Sequence, residues 1–495
     1  STAQVLGLPV NVESKSTQAS VFGRVGYSYM GRYIINGNLR ADASSNFGAQ
    51  NRWGYFPSGS AAWRFSDEQF MQFASRFLTD GKLRVSYGLT GNQQIPAYAS
   101  ISQLQFGANY YNGVSGVVAS SQFGNNKLSW ESTTQFNVGT DLTMMNGRVT
   151  LTLDYYNKRT DNLLYNAPLA YETGFNTLYV NVGSLQNRGV EFLINATPIQ
   201  NKNFAWNVSY NMSFNRAKTL SLYQNIPLST SIWITQPNQI LGNFYGWKAL
   251  GIYAYDQSNA YDDHYNLLTP VIVNGQPSGQ YTLNGKNYTG TVNKLSTNGN
   301  VLAGGDVIWQ NNHKDNVIDD NDRQILGNAQ PKYTAGLTNT VTYKNLSFSF
   351  TFYASIGGQL YNTFRSNLDQ IVTTNVTPDP DYINNAWYYQ GQVTNWYAAK
   401  NNGKTNPRTS SLFIEDASFI RLRNVRLSYF IPQKITSKAS IKGIQLFVYG
   451  INVATWTNYS GWDPEVSFSN PLQMGSDTGT YPKKKEYGIG VNVNF

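Results

Sequence analysis

The chain has 495 residues, a formal net charge of +9, 14% aromatic and 13% charged residues, two histidines and no cysteine. The lack of cysteine excludes a disulfide framework, a thiolate metal site and a cysteine nucleophile, and Lys and Arg are scattered singly, with Lys483-Lys484-Lys485 the longest run, which argues against a nucleic-acid surface. A mean hydropathy of −0.40 and no apolar run near the roughly 20 residues a membrane helix needs exclude helical spans; a β-barrel stays open, because it hides only every second residue from water.

Val21 to Met30 and Arg32 to Asp42 form two extended runs about a tight Met30-Gly31-Arg32 turn, a hairpin pattern. Tyr55 to Phe65 is a third run. Ser66-Asp67-Glu68-Gln69-Phe70 then has the form of a capped helix start, and Phe70, Phe73, Ala74 and Phe77 at helical spacing predict one short helix. Lys82 to Thr90 is the next strand, followed by a long polar and aromatic segment to about Lys127. Strands at Ser132 to Met144 and Arg148 to Arg159 flank the short Met145-Asn146-Gly147 turn.

The clearest alternation runs from Phe204 to Asn215, where Phe204, Trp206, Val208, Tyr210, Met212 and Phe214 interleave with Ala205, Asn207, Ser209, Asn211, Ser213 and Asn215. Successive strand side chains point to opposite faces, so one face is apolar and the other mostly polar. Val190 to Ala196 returns through Pro198 to Asn203, and Pro331 to Tyr343 with Leu346 to Ala354 repeats the arrangement around Lys344-Asn345. The strand from Ser418 to Phe430 changes phase near Arg423-Asn424, which predicts a β-bulge. Lys442 to Thr455 and the terminal stretch from Lys485 complete the set. In that last stretch Tyr487, Ile489, Val491, Val493 and Phe495 share one face, against Gly488, Gly490, Asn492 and Asn494.

Connections alternate short and long. Short turns lie at Met30 to Arg32, Met144 to Gly147, Pro198 to Asn203 and Lys344-Asn345; long segments lie near 44 to 54, 91 to 130, 160 to 180, 217 to 330, 360 to 416 and 456 to 484. Outer-membrane barrels have this form, with short periplasmic turns and long outer loops. The strand from Phe204 leaves a short-turn end and the strand from Pro331 arrives at one, so 217 to 330 contains an even number of spanning strands, taken as zero. Gly242-Asn243-Phe244-Tyr245-Gly246-Trp247, although strand-like, is then part of an outer loop. The sum is about thirteen spanning strands. The expected fold class is all-β, a transmembrane antiparallel β-barrel with long extracellular loop insertions at 217–330 and 360–416. An odd number of strands places Ser1 near an outer loop, and two open edges in lipid would carry unpaired backbone groups. A complementary N-terminal part is therefore expected, with the chain a processed, split or partial one.

Several phrases then converge. Arg84-Val85-Ser86-Tyr87-Gly88-Leu89-Thr90-Gly91-Asn92-Gln93, Asn51-Arg52-Trp53-Gly54-Tyr55-Phe56-Pro57-Ser58, Gly189-Val190-Glu191-Phe192, Ser418-Phe419-Ile420-Arg421-Leu422-Arg423-Asn424-Val425 and Trp462-Asp463-Pro464-Glu465-Val466 resemble the barrel of SusC-like TonB-dependent outer-membrane transporters of Bacteroidetes. The resemblance covers nearly the whole chain, so that 1–495 is expected to be the C-terminal part of a TonB-dependent receptor β-barrel. It implies a 22-stranded barrel with a plugged lumen, of which about nine strands and the plug lie outside this sequence. It also implies a SusD-like surface lipoprotein over the outer face, the TonB complex as energy source and outer-membrane lipid around the wall.

Within the loops, Asn311 to Asp322 is the most site-like motif. A calcium loop presents oxygens at alternate positions and a carboxylate at the twelfth; Asp315, Asp319 and Asp322 fit, whereas His313 replaces an oxygen ligand, Lys314 adds positive charge and Asn316 stands where glycine is wanted. Calcium is the one cofactor this motif allows. Loop aromatics, namely Trp387, Tyr388, Tyr389, Trp396, Tyr397, Tyr110, Tyr111 and Trp309, are candidate substrate contacts, because flat rings stack on sugar faces or hold apolar peptide side chains. The competing roles are loop packing and partner contact. His264 and His313 lack zinc or nucleophile spacing, and the adjacent acids Asp262-Asp263 and Asp319-Asp320 do not face each other across a substrate as a glycosidase requires, so no catalytic residue is expected. The resemblance thus implies uptake of oligosaccharides or oligopeptides energised through TonB, and the loop aromatics suit either cargo. An outer-membrane anchor or scaffold for a surface complex and a soluble carbohydrate-binding β protein are the alternatives.

Overall fold

The computed structural model describes residues 13–111, 114–119, 122–369, 377–399, 408–437, 441–466, 470 and 472–495. Its main sheet has thirteen strands, each hydrogen-bonded to its neighbour in the sequence. They are β1 (Gln18–Tyr29), β2 (Tyr33–Ser44), β3 (Trp53–Trp63), β4 (Leu78–Asn92), β5 (Glu131–Met144), β6 (Val149–Asp161), β7 (Ser184–Gln200), β8 (Phe204–Ser221), β9 (Tyr333–Tyr343), β10 (Leu346–Ile356), β11 (Phe419–Phe430), β12 (Gly443–Thr457) and β13 (Glu486–Asn494). Number and order agree with the periodicity, and no strand of this sheet lies between β8 and β9. The strand-like stretch around Phe244 instead sits in a separate four-stranded sheet, as Asn243–Gly246 paired with Gln324–Asn328. The chain divides into two compact units, one of residues 1–198, 213–226 and 236–239, the other of 199–212, 227–235 and 240–495.

In the first unit the two faces of each strand differ chemically. Val21, Val25 and Tyr27 of β1 stand on the apolar face, more than half exposed. On the opposite face Arg24 donates to Asn36 Oδ1 at 3.1 Å and Asn38 donates to Ser58 Oγ at 3.3 Å, so polar rungs cross from strand to strand. Arg84 binds Asp141 at 2.7 Å and Asp154 at 3.0 Å, with Lys82 3.1 Å from Asp141. Glycine at 139 makes room for this bridge, since a Cβ there would lie 2.1 Å from Asp154 Oδ1. Gly189 has a similar cause: a Cβ would come within 2.5 Å of both the Tyr156 hydroxyl and the Phe214 carbonyl. At the long-loop end, Phe47, Phe56, Ile95, Ala99, Leu128 and Trp130 form a small buried core.

The 64–77 connection differs from expectation. In place of one α-helix it holds two short 3-10 segments, Phe65–Asp67 and Gln69–Ala74. Tertiary anchors at both ends prevail over the helical spacing: Arg64 N–H donates to the Arg32 carbonyl and Met145 N–H to the Phe77 carbonyl, each at 2.8 Å.

In the second unit Leu346, Phe348, Phe350 and Phe352 of β10 line the apolar face, with ring centroids 5.7 and 5.8 Å apart. The predicted bulge is present, because the β11–β12 register shifts between Leu422 and Asn424. Ile420 and Leu427, on either side of it, are both exposed, while Arg421 and Ser428 are both buried. The extra residue keeps one chemistry on one face through a strand whose sequence changes phase. On the polar face Arg421, 2% exposed, binds Asp463 at 2.5 Å and Glu465 at 2.7 Å, and Arg423 reaches Glu465 at 2.9 Å. Two phrases of the sequence, Ser418 to Val425 and Trp462 to Val466, are thereby one structural unit. Gly488 and Gly490 of β13 lie beneath the rings of β12: a Cβ at 490 would be 2.3 Å from Phe447, and one at 488 would be 2.6 Å from Tyr449.

The apolar row of β13 is exposed, with Ile489 at 84% and Val491 at 59%. Val491→Asp is expected to hinder assembly in the outer membrane, since a basic residue on a lipid face costs about 2–4 kcal/mol at mid-depth and an acidic one somewhat less. Loss of the heat-modifiable, compact band on a denaturing gel checks this, and unchanged insertion would reverse the assigned facing.

Candidate functional site

The long connections of the second unit fold on their own account. Phe244, Tyr253, Tyr261, Trp309, Tyr361, Tyr382, Tyr397 and Phe413 are among the members of a buried cluster drawn from segments far apart in sequence. Short strands organise this layer: Ala249–Ile252 pairs with Val307–Trp309, and Gln359–Asn362 pairs with Ile414–Asp416 and Ser476–Asp477. Strands of two to five residues are too short to show a period, which is why this order was not legible in the sequence.

A ladder of alternating rings and guanidinium groups runs through the layer. Arg323 lies 4.4 Å from the Tyr245 ring and 5.1 Å from Trp247; Arg408 lies 4.7 Å from Trp247 and 5.2 Å from Trp309. The ring face attracts the cation, more strongly where water is excluded. Trp247 also donates from Nε1 to the Asp319 carbonyl at 2.7 Å, and Arg408 donates to Thr297 Oγ1 at 2.7 Å. Burial lowers the Arg408 pKa to about 10, against the opposing pull of Asp320 and Asp322, so the group stays charged at neutral pH. Close approach is built in at Gly246, where a Cβ would lie 2.2 Å from the Thr409 carbonyl. Among the described residues, the side-chain nitrogen of Gln324 and the Nε1 of Trp309 are buried without a hydrogen-bond partner.

The structure separates the predicted aromatic contacts. Trp309 and Tyr397 are 1% and 2% exposed, and Tyr397 donates its hydroxyl to the Asp369 carbonyl at 2.9 Å. Trp396 packs between Tyr382 and Phe413, with centroids at 5.6 and 6.2 Å. Trp387 lies over Gly304 and Gly305, where a Cβ on Gly305 would come within 2.5 Å of its ring. These four rings hold loops together. Tyr388 and Tyr389 differ, being 57% and 66% exposed, with Ile383 and Val393 exposed nearby in sequence; Tyr388 donates its hydroxyl to the Ile383 carbonyl. The backbone of Tyr110 and Tyr111 ends the strand Leu104–Tyr111, and their side chains lie outside the described residues.

The three acids of the calcium-like loop face their own backbone. Asp322, fully buried, accepts from the amides of Asn312, His313 and Asp319 at 2.8, 3.2 and 3.0 Å. Asp315 accepts from Val317 N–H and Asp319 from Asn321 N–H. Among the described residues no group of three or more His, Asp or Glu side chains has the geometry to hold a metal ion, so the structure does not bring Asp315, Asp319 and Asp322 together.

Sequence inspection missed Asp369. Its carboxylate is fully buried at the end of the short helix Thr363–Leu368, 3.5 Å from Arg365, and among the described residues neither oxygen makes a hydrogen bond of good geometry. Arg365 is shared with Asp379 at 3.6 Å and Asp381 at 2.6 Å. Burial raises the Asp369 pKa to about 6, with Arg365 opposing and Asp379 adding to the rise. A buried acid leaves no periodic signal in a loop.

Trp309→Phe is expected to cost far less than Trp309→Ala, for which loss of a buried ring predicts about 3–5 kcal/mol, because the phenylalanine also removes an unpartnered N–H. Chemical denaturation followed at loop-specific exchange sites distinguishes the two. A raised carboxyl pKa means that the folded loop binds the proton more tightly than the unfolded chain, so Asp369 adds stability below about pH 4 that is lost as pH rises to about 6. Asp369→Asn is expected to flatten that dependence relative to the parent, as read by limited proteolysis of the loop between pH 4 and 7.

Comparison with known proteins gives this architecture a class. The sequence matches the TonB dependent receptor-like, beta-barrel family over residues 3–301. It is 38% identical over 482 residues to the TonB-dependent receptor P39 of Formosa agariphila, covering 96% of this chain and 46% of that protein. Against the TonB-dependent receptor SusC of Bacteroides thetaiotaomicron it is 30% identical over 501 residues, covering 97% of this chain and 44% of SusC. Among solved structures, the RagAB peptide transporter superposes with a TM-score of 0.77 at 25% identity, over 97% of this chain and 48% of that one. The chain belongs to the TonB-dependent receptor-like β-barrel family, and it spans about half the length of the curated relatives it matches. Bulge, polar-face ion pairs and two-faced meander are thus features of an outer-membrane barrel wall.

Proposed function

We propose that this chain forms part of the wall and outer loops of a SusC-like transporter that imports oligosaccharides or oligopeptides across the outer membrane, driven through TonB. The observation that carries this is the thirteen-strand meander with one apolar and one hydrogen-bonded face, short turns at one end and separately folded loops at the other, in a chain similar to SusC and RagAB. A barrel needs its backbone paired from strand to strand and an apolar exterior; the eleven inner strands are paired on both sides and the apolar rows supply that exterior. A plug and further strands, a SusD-like lipoprotein and the TonB complex are the partners this function requires.

Tyr388 and Tyr389 are the residues proposed to meet the cargo, because they carry flat, exposed rings with hydroxyl edges on a loop braced by Trp387, Trp396 and Tyr397. Stacking of this kind suits sugars and aromatic or apolar peptide side chains alike.

Uptake tests the proposal directly. Cells producing the protein with its partners are expected to accumulate a labelled oligosaccharide or oligopeptide from a mixed pool, and to stop when TonB is deleted or the proton-motive force is collapsed. Accumulation that persists without proton-motive force, or equal accumulation in cells lacking the protein, would refute active import.

A further inference from the structure

The 64–77 connection joins β3 to β4 beside the Met30–Arg32 and Met145–Gly147 turns. Its Gln69–Ala74 segment is a 3-10 helix, in which residues three apart are eclipsed. Three separate stripes result. Met71 and Ala74 turn toward the protein and are partly buried, whereas Gln69, Gln72 and Ser75 form an exposed polar stripe. The third stripe is Phe70 and Phe73, 61% and 82% exposed; past the end of the helix Arg76 continues that register as an exposed cation able to reach water, and Phe77 is 64% exposed on the turn into β4. Nothing in the first unit covers these rings among the described residues.

Their neighbours say what does. Phe70 packs on Trp63 with centroids 6.2 Å apart, and Trp63 belongs to the apolar row of β3, paired with Tyr33 of β2. Tyr33 in turn stacks with Tyr29 of β1 at 6.4 Å. The stripe is therefore continuous with the apolar face of the sheet. Polar atoms mark where this face ends: Tyr33 donates its hydroxyl and Trp63 its Nε1 to the Glu68 carboxylate, which also pairs with Arg32 at 3.4 Å. Tyrosine and tryptophan with one wet edge gather at the membrane–water boundary, and an amphipathic segment with an apolar stripe lies in the plane of that boundary.

We propose that residues 64–77 are an in-plane membrane anchor, with Phe70, Phe73 and Phe77 inserted in the lipid leaflet at the short-turn end and Gln69, Gln72 and Ser75 facing water. The proposal rests on the outer-membrane function above, which puts lipid against the apolar face of the strands. Glu68 holds the segment to the sheet, so that the three rings extend the width of the lipid-facing surface beyond β3 and β4.

Site-directed spin labelling tests it in the full-length protein reconstituted in phospholipid bilayers. This chain has no cysteine, so Phe73→Cys, Gln72→Cys and Val85→Cys each place one nitroxide on it, at the apolar stripe, the polar stripe and the apolar face of β4. Loss of packing at Phe73 is small because the ring is exposed. Collisions with oxygen, which concentrates in lipid, are expected to exceed those with an aqueous nickel chelate at 73 and 85, and the order is expected to reverse at 72. Preference for nickel at 73, or shielding from both relaxers there while 85 favours oxygen, overturns the anchor alone, the second outcome meaning that protein covers the stripe. Oxygen preference at both 72 and 73 overturns the in-plane orientation. Failure of 85 to favour oxygen removes the lipid-facing wall itself, and the anchor with it.

Discussion

A strand paired on both sides and exposed to two different media cannot slip, because a shift of one residue moves every side chain to the opposite face. That constraint governs the eleven inner spans, β2 to β12. At β11 the sequence alone would place Leu427 and Ile420 on opposite faces; the bulge at Arg423–Asn424 absorbs one residue and restores both to the same side. Beside the bulge, Arg421 and Arg423, two residues apart and so on one face, both reach the Asp463 and Glu465 pair. A buried guanidinium with two carboxylates is a costly arrangement unless its hydrogen bonds are complete, and Arg421 completes them with Thr455. Pairing, facing and charge are settled by one extra residue.

Glycines follow from the same demand on space. Gly139 clears a path for Arg84 to Asp154, and Gly488 and Gly490 allow Phe447 and Tyr449 to lie flat across the last strand. Arg426 then rests 3.9 Å above the Phe447 ring. The polar face of this sheet is thus not uniformly hydrophilic; it contains rings laid over glycines, with cations above them.

The thirteen spans were legible because each is nine or more residues long and most alternate, as Phe204 to Asn215 does, with the one change of phase, at Arg423–Asn424, marking the bulge. Loop order was not, and Trp309 shows why. Its ring meets Arg408 and belongs to a cluster on which Trp247 packs, residues up to about a hundred and sixty positions apart, and no local pattern encodes such a meeting. The aromatic loop residues were a fair sign of a ring-rich layer, yet exposure alone separates Tyr388 and Tyr389 from the rings that brace them. In the calcium-like loop the acids recur at ligand spacing in the sequence, and in the fold the Asp322 carboxylate accepts from the backbone amides of Asn312, His313 and Asp319. The 64–77 stretch gave the right apolar residues with the wrong helix, since hydrogen bonds to the flanking turns tightened its pitch.

The ladder of Tyr245, Arg323, Trp247, Arg408 and Trp309 has a bearing on how the loop layer endures a change of acidity. A guanidinium group keeps its charge through any acidity a living surface meets, and aromatic rings carry no proton to lose in that range. A spine of this composition grips equally in acid and neutral surroundings. Asp369, whose carboxyl titrates near pH 6, belongs to the same layer, so a fixed frame and a proton-responsive corner coexist there. A rise in pH can then soften one corner of the loops while their spine of alternating rings and cations holds its form.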